Sequence, residues 1–136
     1  MSLMNKKKRQ GHLTGAISEL KAATWFLQQG YEVFTAVLPQ TRTDMVVLDK
    51  EGKTFRVQVK TATWSKAGKW SYLQSRVHPC KSTDYEEEDF DLWCVVYDDV
   101  IWVIPWKEVF HSTTNLCLAG SKPGYQGQWD QYKYSI

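Results

Sequence analysis

A long helix, a meander of strands and a short helix, in that order, predict an α/β or α+β fold with a mixed central β-sheet flanked by helices. Three observations carry this. Apolar residues recur at helical spacing between residues 14 and 29. Phe55, Val57 and Val59 alternate with Arg56, Gln58 and Lys60 at the two-residue period of a strand. Two apolar runs, Leu92 to Tyr97 and Val100 to Ile104, flank Asp98-Asp99 as a hairpin would.

The first helix is read over residues 14 to 29, with Gly30 as its stop. Ile17, Leu20, Thr24 and Leu27 form one row along it, and Ala16, Glu19, Ala23 and Phe26 an adjacent one. Glu19 therefore sits among small and apolar side chains, while Lys21 and Gln28 take the wet side. Tyr31 to Val37 reads as a strand, Leu38 to Arg42 as a loop, and Asp44 to Asp49 and Thr54 to Thr61 as two further strands. Between the latter, Lys50-Glu51-Gly52 suits a three-residue turn with Gly52 left-handed. That turn sets Asp49 against Lys53 and, counting back, Asp44 opposite Gln58 with Lys60 one diagonal step away. Trp70 to Val77 reads as a strand, and Pro105 to Phe110 as a short helix with proline in its first turn. Residues 120 to 136, rich in glycine and aromatics, carry no clear pattern.

A chain of 136 residues and 15.8 kDa supports one domain over residues 1–136, with residues 1–11 expected to be a flexible basic tail. With 43% hydrophobic and 24% charged residues, 8 Gly and 4 Pro, the composition excludes disorder and collagen-like repeats. No apolar stretch approaches the roughly 18 residues of a membrane span. Lys6 to Arg9 are followed by Gln10-Gly11-His12 rather than an apolar run, so no secretory signal is read. Cys80, Cys94 and Cys117 are too scattered for a disulfide framework or a zinc site. A cytoplasmic, nucleoid-associated location is expected. His12, His78 and His111 have neither ligand spacing nor a nucleophile partner, and no glycine-rich phosphate loop is present.

Net charge is only +2, but its placement is lopsided. Lys53, Arg56, Lys60, Lys66, Lys69 and Arg76 occur without an intervening acid, with Trp64, Trp70 and Tyr72 among them. Cations interleaved with rings suit a nucleic-acid backbone and its bases. Asp84, Glu86, Glu87, Glu88, Asp89, Asp91, Asp98 and Asp99 then reverse the balance. This acidic run is expected to be an exposed loop that stays away from any polyanion.

The predicted register gathers Glu19, Asp44, Gln58 and Lys60 on one face of the sheet beside the first helix. A carboxylate and an amide oxygen are hard ligands of the kind Mg²⁺ prefers, and an ammonium can orient water or stabilise charge on a phosphate. Metal-assisted phosphodiester hydrolysis requires such a group.

In this order and spacing, Gly15…Glu19, Thr43-Asp44 and Gln58-Val59-Lys60 resemble the PD-(D/E)XK nuclease superfamily. The Gln-x-Lys version is most similar to the homing endonucleases of cyanobacterial group I introns, and more distantly to archaeal Holliday-junction resolvases. The resemblance covers roughly residues 11 to 62, with a looser echo in Phe90-Asp91-Leu92 and Trp102 to Pro105. Two positions depart from the family pattern: Thr43 stands for its proline and Gln58 for its usual acid.

What the resemblance implies is a restriction-endonuclease-like core and a Mg²⁺- or Mn²⁺-dependent DNA endonuclease. Asp44 and Gln58, with the Val59 carbonyl, would hold the metal, Glu19 a second ion or its water, and Lys60 the attacking water. Arg42, Arg56, Lys66, Lys69 and Arg76 would follow the backbone of a duplex or junction. A chain this short implies a homo-oligomer, dimer or tetramer, to cut two strands. The alternative is a non-catalytic DNA-binding or structural protein with the same fold, and a weaker third reading is an RNA-processing nuclease.

Overall fold

The computed structural model of the protein describes residues 6–38, 42–77, 85–111 and 115–136. Its first helix, α1 (Lys6–Gln28), starts well before residue 14, so residues 6–11 of the expected tail are helical. It ends as Gly30 suggests. The Gly30 amide donates to the Leu27 carbonyl and the Tyr31 amide to the Phe26 carbonyl, both at 3.0 Å, with Gly30 at φ 90°. Those two bonds satisfy carbonyls that the helix end would otherwise orphan.

The apolar row expected along this helix is not the one that packs. Ser18, Ala22, Trp25 and Phe26 are the buried residues, while Ile17, Leu20 and Leu27 face outward. Tertiary packing chose the face bearing the larger rings.

The strands are β1 (Glu32–Thr35), β2 (Met45–Leu48), β3 (Thr54–Thr61), β4 (Thr63–Ala67), β5 (Trp70–Arg76), β6 (Leu92–Tyr97), β7 (Val100–Pro105), β8 (Asn115–Gly120) and β9 (Lys133–Ser135). A five-residue helix, α2 (Trp106–Phe110), follows β7. Six strands form the main sheet in the order β1-β2-β3-β6-β7-β9. Among the described residues β3 and β6 pair in parallel and the other neighbours antiparallel, so the sheet is mixed as predicted. β4, β5 and β8 form a second, antiparallel sheet. Of these, β4, β8 and β9 had no sequence reading. The loop expected over residues 38–42 lies mostly outside the described residues.

Two cores share the main sheet. On one face Ala22, Trp25 and Phe26 of α1 pack on Met45, Val47, Val57, Val59, Cys94 and Val96. On the other, Trp93, Val95, Trp102 and Ile104 meet Leu73 of β5, Leu116 and Leu118 of β8, and Trp106 and Val109 of α2. The second face is therefore covered by the smaller sheet as well as by helix α2. Tyr85, Phe90, Trp93 and Trp106 form an aromatic knot in this second core; the Trp93 and Trp106 rings stack at 4.9 Å and 26°. Among the described residues Cys94 and Cys117 are free thiols.

Gly120 closes β8 against β5 at φ 113°, where a Cβ would lie 2.3 Å from the Ser71 carbonyl oxygen. Backbone cannot yield as a side chain can. Gly120→Ala is expected to cost at least about 2 kcal/mol in thermal or urea unfolding, combining positive-φ strain with the clash.

Candidate active site

The turn between β2 and β3 forms as its residues dictate. Gly52, at φ 87°, donates to the Asp49 carbonyl at 3.1 Å, and Asp49 donates to the Lys53 carbonyl at 2.9 Å. The Asp49 carboxylate also accepts the Glu51 and Lys53 amides, each at 2.9 Å. Register then runs from Leu48↔Thr54 to Met45↔Val57, as the three-residue turn requires.

At Asp44 the ladder departs from the expectation. Its amide donates to the Val57 carbonyl at 3.0 Å, although Met45 is already opposite Val57. Two residues of one strand thus face one of the other, the pattern of a β-bulge, which re-aims a side chain. The Asp44 carboxylate does not lie across from Gln58; it reaches along the end of β2 and accepts the Val59 amide at 2.8 Å.

The single polar face is also corrected. α1 covers the Val57 and Val59 side of β3, so Gln58 and Lys60 point away from it, level with Trp93 and Val95 of β6. The Lys60 ammonium lies 5.5 Å from the Tyr85 ring centre and 5.7 Å from that of Trp93, and 3.3 Å from the Tyr85 hydroxyl. Glu19 comes from the α1 side. Asp44, at the end of its strand, is where the two sides meet: its carboxylate bonds Glu19 and feels the Lys60 charge.

The electrostatics follow from that position. Glu19 has its pKa raised by burial first, then by the charge and hydrogen bond of Asp44. Burial likewise raises Asp44, against the opposing pull of the Val59 amide, Lys60 and Glu19. Burial and the nearby Asp44 push the Cys94 thiol up, so it is no nucleophile at neutral pH. Gln58 is 6% exposed, and its side-chain oxygen has no hydrogen-bond partner. A buried amide oxygen normally has one, so this atom is a vacant acceptor.

The donor set is therefore two carboxylates, one orphan amide oxygen and the Val59 carbonyl, all hard oxygens that fit Mg²⁺ or Mn²⁺. Among the described residues no group of three His, Cys, Asp or Glu side chains could hold a metal, so a cation here would be held by few charges.

Sequence reasoning missed two contributors. Ser18, buried beside Glu19, bonds Thr61, the neighbour of Lys60, at 2.6 Å and ties α1 to β3 behind the site. A small hydroxyl residue one step from each candidate was the available signal. Tyr85, against Lys60, had none, because it arrives from a distant segment.

Of the expected DNA contacts, Arg42 bonds Asp89 at 2.6 Å and Arg56 bonds Asp91 at 3.3 Å. Asp89 and Asp91 of the acidic segment thus pair with these two cations. Burial would raise Asp91, but the amide and guanidinium of Arg56 outweigh it and hold its pKa below the usual carboxylate value. Lys66, Lys69 and Arg76 are exposed on β4, the following turn and the end of β5.

A two-sided mixed sheet with a helix-borne glutamate, an aspartate at a strand end and Gln-x-Lys on the next strand defines a nuclease-like protein. Residues 9–132 match the PD-(D/E)XK endonuclease family, and the chain belongs to it. It is similar to Protein 5.3 of Escherichia phage T7, 38% identical over 113 residues that cover 83% of this chain and 94% of the phage protein. Its fold is similar to that of a bacterial homing endonuclease, I-Ssp6803I, with a TM-score of 0.74 and 19% identity over 90% of this chain and 87% of the other.

Folding raises the pKa of both paired carboxyls, so the folded state binds more protons than the unfolded state between the ordinary carboxylate range and the raised values. Stability therefore falls as pH rises through that interval and stays lower above it. Metal-free Asp44→Asn is expected to melt above the native chain at pH 8, with the gap shrinking towards pH 4. An equal or lower melting temperature at pH 8 would mean that the Val59 and Lys60 attractions outweigh burial.

Proposed function

We propose that this chain is a divalent-metal-dependent endonuclease that hydrolyses DNA phosphodiester bonds. The observation carrying this reading is the unpartnered, buried Gln58 oxygen on the strand whose Val59 amide binds Asp44, with Lys60 two residues on. Asp44, Gln58 and the Val59 carbonyl would hold Mg²⁺ or Mn²⁺, and Glu19 a second ion or a water on it. The metal would supply Lewis-acid stabilisation of the phosphate and a more acidic water.

The chain's own groups do the rest. The Asp44 carboxylate is anchored through one oxygen to the Val59 amide and would present the other to the cation, with the Glu19 carboxyl hydrogen-bonded beside it. The Lys60 ammonium, turned from its rings and the Tyr85 hydroxyl, orients the attacking water and offsets charge building on the phosphate. Lys66, Lys69 and Arg76 would follow the phosphate backbone. Arg42 and Arg56 would meet it only in competition with Asp89 and Asp91.

A second reading, a DNA-binding protein without catalysis, draws on the neutral Gln58 and on the engagement of Lys60 with Tyr85. Supercoiled plasmid with Mg²⁺ or Mn²⁺ separates the two: nicking supports the first, retardation without nicking the second.

Lys60→Ala and Asp44→Ala are each expected to lower cleavage by about 100-fold or more while DNA retardation persists. Wild-type cleavage by either removes the assignment. Gln58→Glu should lower the Mg²⁺ concentration at half-saturation, because a carboxylate replaces a neutral amide at the cation; an unchanged midpoint means Gln58 is not a ligand. Neutralising Lys66, Lys69 and Arg76 together should flatten the slope of log K against log salt by about 2 to 3 units on duplex DNA, through lost counterion release. An unchanged slope would leave these cations as a solvated face.

A further inference from the structure

The outward face of α1 is apolar along four turns. Leu13, Ile17, Leu20, Thr24 and Leu27 are spaced 4, 3, 4 and 3 residues apart, which is the a/d repeat of a coiled coil with Leu at each d and β-branched residues at each a. Leu13 is 47% exposed, Ile17 51%, Leu20 69% and Leu27 59%. The opposite face, through Ser18, Ala22 and Trp25, is already spent on the sheet. An amphipathic helix of one domain needs one apolar stripe; this one has two.

We infer that this stripe is a homodimer interface, in which α1 packs against α1 of a second copy about a two-fold axis. Three local features favour that occupant. The helix repeats its own knobs and holes, so a second copy supplies the a and d residues such a seam needs, and the Ile-and-Leu choice suits two strands. The two threonine hydroxyls along the seam are already bonded: that of Thr24 donates to the Leu20 carbonyl and that of Thr14 to the Gln10 carbonyl, each at 2.9 Å. Burying them leaves methyl groups outward and no orphan donor. Lys21, the long cation flanking the seam, is drawn away from it, its ammonium bonded to the Asp98 carbonyl at 2.8 Å. Beside Ile17, Trp64 and Tyr97 are 48% and 38% exposed and meet edge to face, widening the patch.

This inference does not depend on nuclease activity. The native chain is expected to sediment as a dimer at micromolar concentration, and Leu20→Glu with Leu27→Glu to raise the monomer–dimer midpoint by about 100-fold or more. Because both leucines are exposed in the single chain, the double variant should keep its circular dichroism spectrum as a monomer. Leu20→Ala, which adds no charge, should weaken the dimer in the same direction. A native chain that is monomeric up to about 100 μM overturns the proposal, as does a double variant that folds and still dimerises with native strength.

Discussion

The bond from the Val59 amide to the Asp44 carboxylate is the constraint on which the candidate site depends. β2 stops at Met45 while β3 runs on to Thr61, so Val59 has a donor aimed at an edge where no strand continues. Left unpaired inside a sheet, that amide would cost about 1–3 kcal/mol. The Asp44 side chain takes the place of the missing strand. In doing so it stands at the boundary between the two faces, where a helix carboxyl from one side and an ammonium from the other can both reach it. A carboxylate on the flat of the sheet could not serve both.

β3, the strand that bears Gln58 and Lys60, is covered on both faces. Its valines belong to the α1 core, and Gln58 and Lys60 project into the wall of the second core, beside Trp93. A polar side chain there must find a partner or stay costly. Lys60 meets this with the Tyr85 hydroxyl and two ring faces, and Gln58 leaves its oxygen unmatched. Asp91 sets how β3 and β6 meet. Its carboxylate accepts the Arg56 amide at 2.8 Å, its amide donates to the Arg56 carbonyl at 2.9 Å, and its carbonyl accepts the Trp106 amide at 3.0 Å. One acidic residue thus joins the start of β3, the start of β6 and the first turn of α2.

Charge along the chain turns out to be partly self-cancelling. Asp89 and Asp91 close on Arg42 and Arg56, and the Lys69 ammonium rests 4.9 Å from the Trp70 ring centre. Of the cations expected to follow DNA, Lys66, Lys69 and Arg76 stay exposed, on the smaller sheet and its β4–β5 turn. Among the described residues no helix is long and apolar enough to cross a membrane.

Local chemistry was legible in the sequence wherever a short segment could decide it alone. Gly30 stopped α1, Asp49 and Gly52 set the β2–β3 turn and its register, and alternation marked β3, because each rests on contacts a few residues apart. The four candidate residues were legible on a different ground, the resemblance of the ordered pattern Glu19, Asp44 and Gln58-Val59-Lys60 to a nuclease family. What only the tertiary structure decided was which surfaces meet. α1 has two apolar rows, and spacing cannot tell which one a sheet will cover; the rings of Trp25 and Phe26 settled it. The second sheet was unreadable because β8 reaches β5 from a distant part of the chain, while β4, joined to β5 by the Gly68-Lys69 turn, is largely exposed and carries no apolar alternation of its own. Asp44 turns to Val59, not Gln58, because a strand end must satisfy an amide that no local pattern reveals. Burial, pairing and the positions of charges belong to pairs of distant residues, and a single chain read in order contains only one member of each pair at a time.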